Sequence, residues 1–187
     1  MEKKLHIGCG DDIKEGWINH DVANLPGVDV VHDLLSYPWP WADEEFTEIY
    51  MKDVLEHLPD TIKTLEEIFR ITKSGAKIYI AVPYWNSWEA ITDPTHVCQF
   101  NEFSFDFFDP TKDRCKKRPY YSFARFEINK LGLGVSFLKP HMRLPIISRY
   151  TVFYNPIIKW FLSLFAGYFN NIVVGLELHL VRLNKKE

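Results

Sequence analysis

The chain has 187 residues, 47% hydrophobic and 25% charged, which suits one soluble domain that buries ~70% of its unfolded surface. Its three cysteines, Cys9, Cys98 and Cys115, are odd in number and lack close pairing, which argues against a disulfide framework and a CxxC metal site. The net charge of −3 hides an asymmetry: residues 1–110 carry 8 Lys/Arg against 21 Asp/Glu, and residues 111–150 carry 10 against 2. A basic segment on an acidic body speaks to partners and not to fold.

Met1-Glu2-Lys3 leads straight into a strand pattern. No room is left for a signal peptide, and a cytoplasmic, reduced protein is expected. Lys4–Ile7 reads as the first strand and stops at Gly8-Cys9-Gly10. Short apolar runs follow at Gly16–His20, Val28–Val31 and Glu48–Met51. Thr61–Ile71 sets Ile62, Leu65, Ile68 and Phe69 at helical spacing. A turn at Lys73-Ser74-Gly75 then leads into Ala76–Val82, rich in β-branched residues and stopped by Pro83. Strands joined by helical crossovers predict a parallel sheet in an α/β sandwich. Every loop that follows a strand then lies at one edge of the sheet, where such folds bind ligands.

Residues 84–122 show no clear period, and a long irregular stretch in a compact domain is usually functional or mobile. Val173–Leu183 reads as a final strand. Between them, residues 155–174 form an apolar run opened by Asn155-Pro156, an N-cap followed by a proline at the first helical position. Lys159, Ser163 and Asn170 make one narrow polar stripe along it. Those interruptions argue against a membrane span. Two readings stay open: a core or homodimer helix, or an interfacial helix held on anionic lipid together with the basic segment.

Gly8 and Gly10 let the backbone approach a ligand closely, and Asp21, ending the second strand, is placed to accept hydrogen bonds from ribose hydroxyls. The third glycine of a dinucleotide fingerprint is missing. Gly10 is followed by Asp11-Asp12, and acids there would repel a pyrophosphate. The loop therefore suits a cofactor without phosphates better than NAD or ATP.

The series "LHIGCG", "GWINHD", "DVVHDL", "FTEIYMKDVLEHL" and "LEEIFRITKSGAKIYIAVP" resembles class I S-adenosylmethionine-dependent methyltransferases. It is most similar to the small predicted methyltransferases of the type-11 group, with a shortened first helix. The resemblance covers residues 4–108 in order and Val173–Leu183 more loosely, while residues 110–172 match nothing assignable. It implies a single methyltransferase-like domain over 1–187, a three-layer Rossmann-like α/β sandwich with a mostly parallel, seven-stranded-type sheet. Residues 110–172 become a basic and apolar C-terminal elaboration on the substrate side or at an interface. The implied cofactor is S-adenosyl-L-methionine, and the implied reaction is methyl transfer to a small molecule.

Position by position, the resemblance sets Gly8, Cys9 and Gly10 against the methionine part of the cofactor. Asp21 would bind the ribose, with Val22 beside the adenine. Asp33 and Leu34 correspond to the third-strand Asp-Leu, whose acid hydrogen-bonds the adenine amino group. Lys52 and Asp53 would border the methionine, and His57 would close that side. Three positions depart from the pattern: His6 replaces an acid, Asp12 replaces the third glycine, and Phe46-Thr47 replaces Phe-Asp.

Methyl transfer from a sulfonium is an in-line displacement, so alignment supplies much of the acceleration and a general base helps an oxygen or nitrogen acceptor. In "YWNSWEAITDPTHVCQF", just after the fifth strand, His96 is the candidate base and Asp93 a group to orient it. The other reading makes Asp93-Pro94-Thr95-His96 a helix-capping turn. Tyr84, Trp85 and Trp88 would wall a substrate pocket or else belong to the core. His6, His20 and His32 fall on three successive strands, but with no supporting carboxylate or Cys spacing no metal is expected. Arg114–Arg118 with Tyr120, Tyr121 and Phe123 resembles a nucleic-acid patch, yet at a sequence pI of about 6.2 a solvated loop is the commoner meaning. Charge and amphipathicity together suggest an anionic or lipid-linked glycan acceptor at a membrane surface. A non-catalytic binding protein of the same fold and an NAD-dependent Rossmann enzyme are the competing readings.

Overall fold

The computed structural model describes residues 2–136 and 150–184. Part of the basic segment, residues 137–149, lies outside the described residues. The first strands are short: β1 is Lys4–Ile7, β2 Ile18–Asp21 and β3 Val30–Val31. β4 spans Phe46–Lys52, α1 Thr61–Ile71 and β5 Thr72–Pro83. Two five-residue helices follow, α2 (Trp88–Thr92) and α3 (Asp113–Lys117). β6 (Phe126–Val135), β7 (Thr151–Phe153), α4 (Pro156–Ala166) and β8 (Gly175–Arg182) complete the order.

All strands join one eight-stranded sheet in the order β3-β2-β1-β4-β5-β8-β6-β7. The block from β3 to β5 is parallel, while β8 runs antiparallel to both β5 and β6. This is the expected Rossmann-like α/β sheet. Its eighth member is β7, which pairs antiparallel with β6 through only three residues.

The two faces differ as strand alternation requires. Leu5, Ile7, Ile49, Met51, Ile78, Ile80 and Leu178 are buried on one face, in one core with Leu65, Ile68 and Phe69 of α1. Asp60 caps α1, its Oδ1 accepting from Lys63 N–H at 2.9 Å. Arg70 of α1 then clamps the β3–β4 connection, donating to Glu67, to Asp43 and to the carbonyls of Trp39 and Trp41. That clamp holds both tryptophans in the core, at 2% and 7% exposed.

The other face is polar and aromatic. His6 meets Tyr50 edge-on, Tyr50 stacks on Tyr79 with centroids 4.8 Å apart, and Tyr79 meets His179. No helix links β1 to β2. Instead the short connection turns back over this face, with Lys14 Nζ 4.1 Å from the centre of the Tyr50 ring and Trp17 edge-on to it. Asn19 holds that connection in shape, accepting from Lys14 N–H and donating to the carbonyls of Lys14 and Trp17.

The turn expected at Lys73-Ser74-Gly75 appears as an irregularity inside β5. Gly75 has φ +77°, and the partner register jumps from Thr72 to Lys77 as β4 passes from Phe46 to Glu48.

Candidate active site

β1 ends in a loop that needs its glycines. Gly8 has φ +67°, and a Cβ there would collide with Cγ2 of Val54, just past the end of β4. Gly10 has φ +52°, and a Cβ there would meet nothing within 4 Å, so its backbone faces open space at the strand-end edge. Gly10 N–H donates to Asp21 Oδ2 at 2.8 Å, and Ala23 N–H donates to Asp21 Oδ1 at 2.9 Å. Each carboxylate oxygen accepts one bond there and keeps capacity for a ligand hydroxyl. Cys9, 3% exposed, lies behind the loop, and burial pushes its thiol pKa up, as expected of a packing residue.

The structure brings Asp33 close to this end, since His32 N–H donates to Asp21 O at 3.1 Å. Asp33 Oδ1 accepts from Leu35 N–H. Val22, 66% exposed, is open to a flat apolar ligand. Leu34 is not: it is 6% exposed in the core, and Leu35, 54% exposed, is the apolar side chain left at the surface. The side chain of Leu34 therefore packs in the core.

The other end of the site is a cleft of about 1220 Å³ beyond the ends of β4 and β5, with Gly175 and Glu177 of β8 as one wall. Lys52, Asp53 and His57 line it. Asp53 has φ +53°, and its backbone N–H donates to Ala81 O. Burial among its neighbours raises the Asp53 carboxyl above its ordinary value, against the pull of Lys52, whose Nζ lies 3.8 Å away.

Val54 to Leu58 then make one tight turn that seats Glu56 and His57 against the chain that returns from α2. Glu56 O accepts from Val97 N–H at 2.9 Å and from Cys98 N–H at 3.0 Å, which fixes His96 beside it. Glu56 is 1% exposed, neither carboxylate oxygen has a hydrogen-bond partner among the described residues, and burial pushes its pKa up to about 7. His96 Nε2 lies 3.8 Å from Glu56 Oε1, and the His57 and His96 rings meet edge-on at 4.7 Å.

Asp93 lines the cleft but does not orient His96. Its Oδ1 accepts from Thr95 N–H and from Thr95 Oγ1–H, and these bonds hold its pKa down. His96 Nδ1 faces Ala90 O at 3.3 Å instead. The residue that Asp93 serves, through Thr95 Oγ1, is His57, whose Nδ1 lies 2.9 Å from that oxygen.

The aromatic wall is also reassigned. Tyr84 is 2% exposed, its hydroxyl donates to Glu102 Oε2 at 2.7 Å, and burial raises its pKa. It is core. Trp85 and Trp88 are 40% and 59% exposed, outside the cleft. Tyr50, Tyr79 and Tyr150 line the cleft in their place. Sequence reasoning passed over all three: Tyr50 and Tyr79 read as sheet-forming strand residues, and Tyr150 lies just outside β7 and meets the cleft through residues far off in sequence. Glu56 was missed because a glutamate in "LEHL" reads as a solvated helix face. Its burial depends on the return of residues 97 and 98, which no local pattern reveals.

His6, His20 and His32 form no common cluster. His20 Nε2 meets His32 O at 2.9 Å, and His6 packs on Tyr50. Among the described residues the one grouping of three metal-capable side chains is Glu56, His57 and His96.

Residues 12–80 match a family described as a methyltransferase domain, a little over a third of the chain. No curated protein matches the sequence. Three solved structures show the fold. A SAM-dependent methyltransferase from Archaeoglobus fulgidus is 17% identical with TM-score 0.58, over 97% of this chain and 86% of its own. One from Thermotoga maritima is 15% identical with TM-score 0.56, over 95% and 81%. The YcgJ protein of Bacillus subtilis is 11% identical with TM-score 0.55, over 100% and 93%.

The donor set fits the cofactor these findings imply. Open backbone at Gly10 and lone pairs on Asp21 await hydroxyls, and Asp11, Asp12, Asp21 and Asp53 favour a cationic sulfonium while repelling phosphates. Gly8 to Gly10 lie just ahead of the matched span, so their part rests on the geometry alone.

Proposed function

We propose that this chain, a class I S-adenosylmethionine-dependent methyltransferase of the type-11 group, methylates an acceptor held in the cleft between Asp53, the Glu56–His57–His96 cluster and Tyr79. The observation that carries this reading is the continuity of the two ends. The Gly8–Gly10 loop touches Val54, the residue between Asp53 and the cluster, so cofactor edge and cleft share one backbone turn. When bound, the cofactor supplies an electrophilic methyl on a sulfur that leaves as a neutral thioether.

The chain's own residues do the rest. Asp21 and the Gly10 backbone position the nucleoside end, with Asp33 beside them. Lys52 and Asp53 border the amino-acid end. Tyr50 and Tyr79 wall the acceptor, and the buried cluster receives the acceptor at the point where its proton is lost.

The acceptor is proposed to be anionic and lipid-linked. α4 supports this: Ile157, Trp160, Phe161, Phe165, Tyr168 and Phe169 on and just after it are 49–80% exposed. Asn155 caps the helix as expected, its Oδ1 accepting from the N–H of Ile157 and Ile158. Among the described residues no helix is long and apolar enough to cross a membrane. Beside α4 lies a groove of about 480 Å³ lined by Lys112, Lys130 and Lys159 with Phe103 and Trp160. Glu102 and Asp106 line it too, but Tyr84 and Ser163 hold Glu102, and Arg114 holds Asp106. An apolar helix face next to a lysine groove complements an anionic lipid surface.

The test incubates the protein with S-adenosylmethionine labelled in its methyl group and vesicles of total membrane lipid. Label in an anionic, lipid-phase product is expected. Label found only in water-soluble products would overturn the lipid assignment, and sedimentation that shows no binding to anionic vesicles at low salt would remove its basis.

A further inference from the structure

The Glu56–His57–His96 cluster has the chemistry of a metal site. The ligand atoms of these three residues all lie within 4.8 Å of one another. Two features separate the grouping from a chance cluster. The first is the state of the imidazoles. Thr95 Oγ1 donates its proton to Asp93 Oδ1 at 2.6 Å, so at its 2.9 Å contact with His57 it accepts, and His57 Nδ1 carries the proton. His96 Nδ1 faces a carbonyl, Ala90 O, which can only accept. Both rings therefore carry hydrogen on Nδ1, and in the neutral ring this leaves the Nε2 lone pair for a ligand bond. Histidines that hold metals are oriented in this way, by a hydrogen bond from the second ring nitrogen to a carbonyl or a carboxylate-linked group.

The second feature is Glu56. The residue is 1% exposed, and among the described residues neither carboxylate oxygen has a hydrogen-bond partner. A buried carboxylate without donors is costly unless something else compensates it. His96 Nε2 stands 3.8 Å from its Oε1, too far for a hydrogen bond. That spacing matches two ligands on either side of one ion at about 2.0–2.2 Å from each.

The geometry points to a divalent transition-metal site formed by His57 Nε2, His96 Nε2 and the Glu56 carboxylate, opening into the acceptor cleft. Two imidazoles and one carboxylate suit Zn²⁺, Mn²⁺, Fe²⁺ or Co²⁺, and oxygen-seeking Ca²⁺ and Mg²⁺ much less. Three protein ligands leave a position open towards the cleft. With the ion bound, His96 is a ligand and not a free base. The group bound at the open position is an oxygen of the acceptor, a hydroxyl whose proton the ion makes easier to lose. That proton passes to water in the open cleft as the oxygen bonds the methyl and the sulfur departs as a thioether. That last role rests on the methyl-transfer reading, whereas ion binding itself does not.

The experiment is a Co²⁺ titration of tag-free, metal-stripped protein, read by visible absorption and by calorimetry. One Co²⁺ per chain is expected, displaced by Zn²⁺. His57→Gln and His96→Gln should each weaken binding about 100-fold or more. Thr95→Val, which removes the link from Asp93 to His57, should weaken it about 10-fold. His32→Gln, on the far side of the sheet, should change nothing. Circular dichroism verifies that each variant is folded, and S-adenosylhomocysteine binding, which needs no metal, reads the cofactor end separately. Absence of Co²⁺ binding at millimolar concentration overturns the site, as does unchanged binding in folded His57→Gln and His96→Gln. If Co²⁺ binds but S-adenosylhomocysteine does not, the metal site stands and the methyl-transfer reading falls.

Discussion

Gly8→Ala probes the join between the β1 loop and the turn after β4. The new Cβ would collide with Val54 Cγ2 and lie 3.4 Å from Val54 Cβ and Cγ1, at a backbone φ of +67°. Two costs follow. Holding alanine in the left-handed region costs about 1–2 kcal/mol, and forcing a methyl into an occupied space costs about 1–3 kcal/mol. The substitution should therefore lower stability by about 2–5 kcal/mol and move the Val54 turn away from the loop. Val54→Ala alone removes two methyl groups from a half-buried side chain packed on the core, a loss of about 1–2 kcal/mol. In the double variant the collision disappears while the backbone cost remains. Urea unfolding followed by circular dichroism should then show the pair less destabilised than the sum of its parts by about 1–3 kcal/mol. Additivity within about 0.5 kcal/mol, the behaviour of independent sites, would refute the claim that these two elements share one contact. Calorimetry with S-adenosylhomocysteine on the same proteins should show weak binding in Gly8→Ala, partly recovered in the double variant.

Asp21→Ala deprives the Gly10 and Ala23 amides of their acceptor. It should cut S-adenosylhomocysteine affinity at least about 10-fold, with Asp21→Asn intermediate; equal affinity in all three proteins would contradict the role given to Asp21. Tyr84→Phe should cost about 1.5–3 kcal/mol by removing a buried donor to Glu102. It should leave cofactor and acceptor binding unchanged, so a fall in either would return Tyr84 to the site. His6 and His20 are buried and desolvation lowers the pKa of each. Below about pH 6.5 the unfolded chain takes up protons that these folded side chains refuse. Their contribution is thus complete above that pH and is lost as pH falls, at up to about 1.4 kcal/mol per pH unit for each. Urea midpoints from about pH 7.5 to 5.5 should fall, and NMR titration should place both rings below 6.5 in the folded state. A folded-state pKa above 6.5 for either would reverse the sign.

Local pattern made the first half of the chain readable. The helix over Thr61–Ile71 has the same bounds in sequence and structure because its apolar stripe, its Asp60 cap and the following strand agree. Gly8, Gly10, Asp21, Lys52, Asp53 and His57 sit at strand ends, and strand order alone brings them to one edge. Glu56, Thr95 and Tyr150 were not readable in this way. Each acts through a partner far off in sequence: the chain returning at Val97 and Cys98, the ring of His57, and the wall of β8. Tyr84 differs for the opposite reason. Its neighbours in sequence suggested a ligand surface, while its ring is buried and its hydroxyl is bound to Glu102.

The most direct measurement is a calorimetric titration of the full chain with S-adenosylhomocysteine, with NAD as the comparison. One molecule bound per chain at micromolar affinity, weakened by Asp21→Ala and matched by no heat from NAD, is the predicted result. No binding of S-adenosylhomocysteine at millimolar concentration, or binding of NAD in its place, would contradict the account.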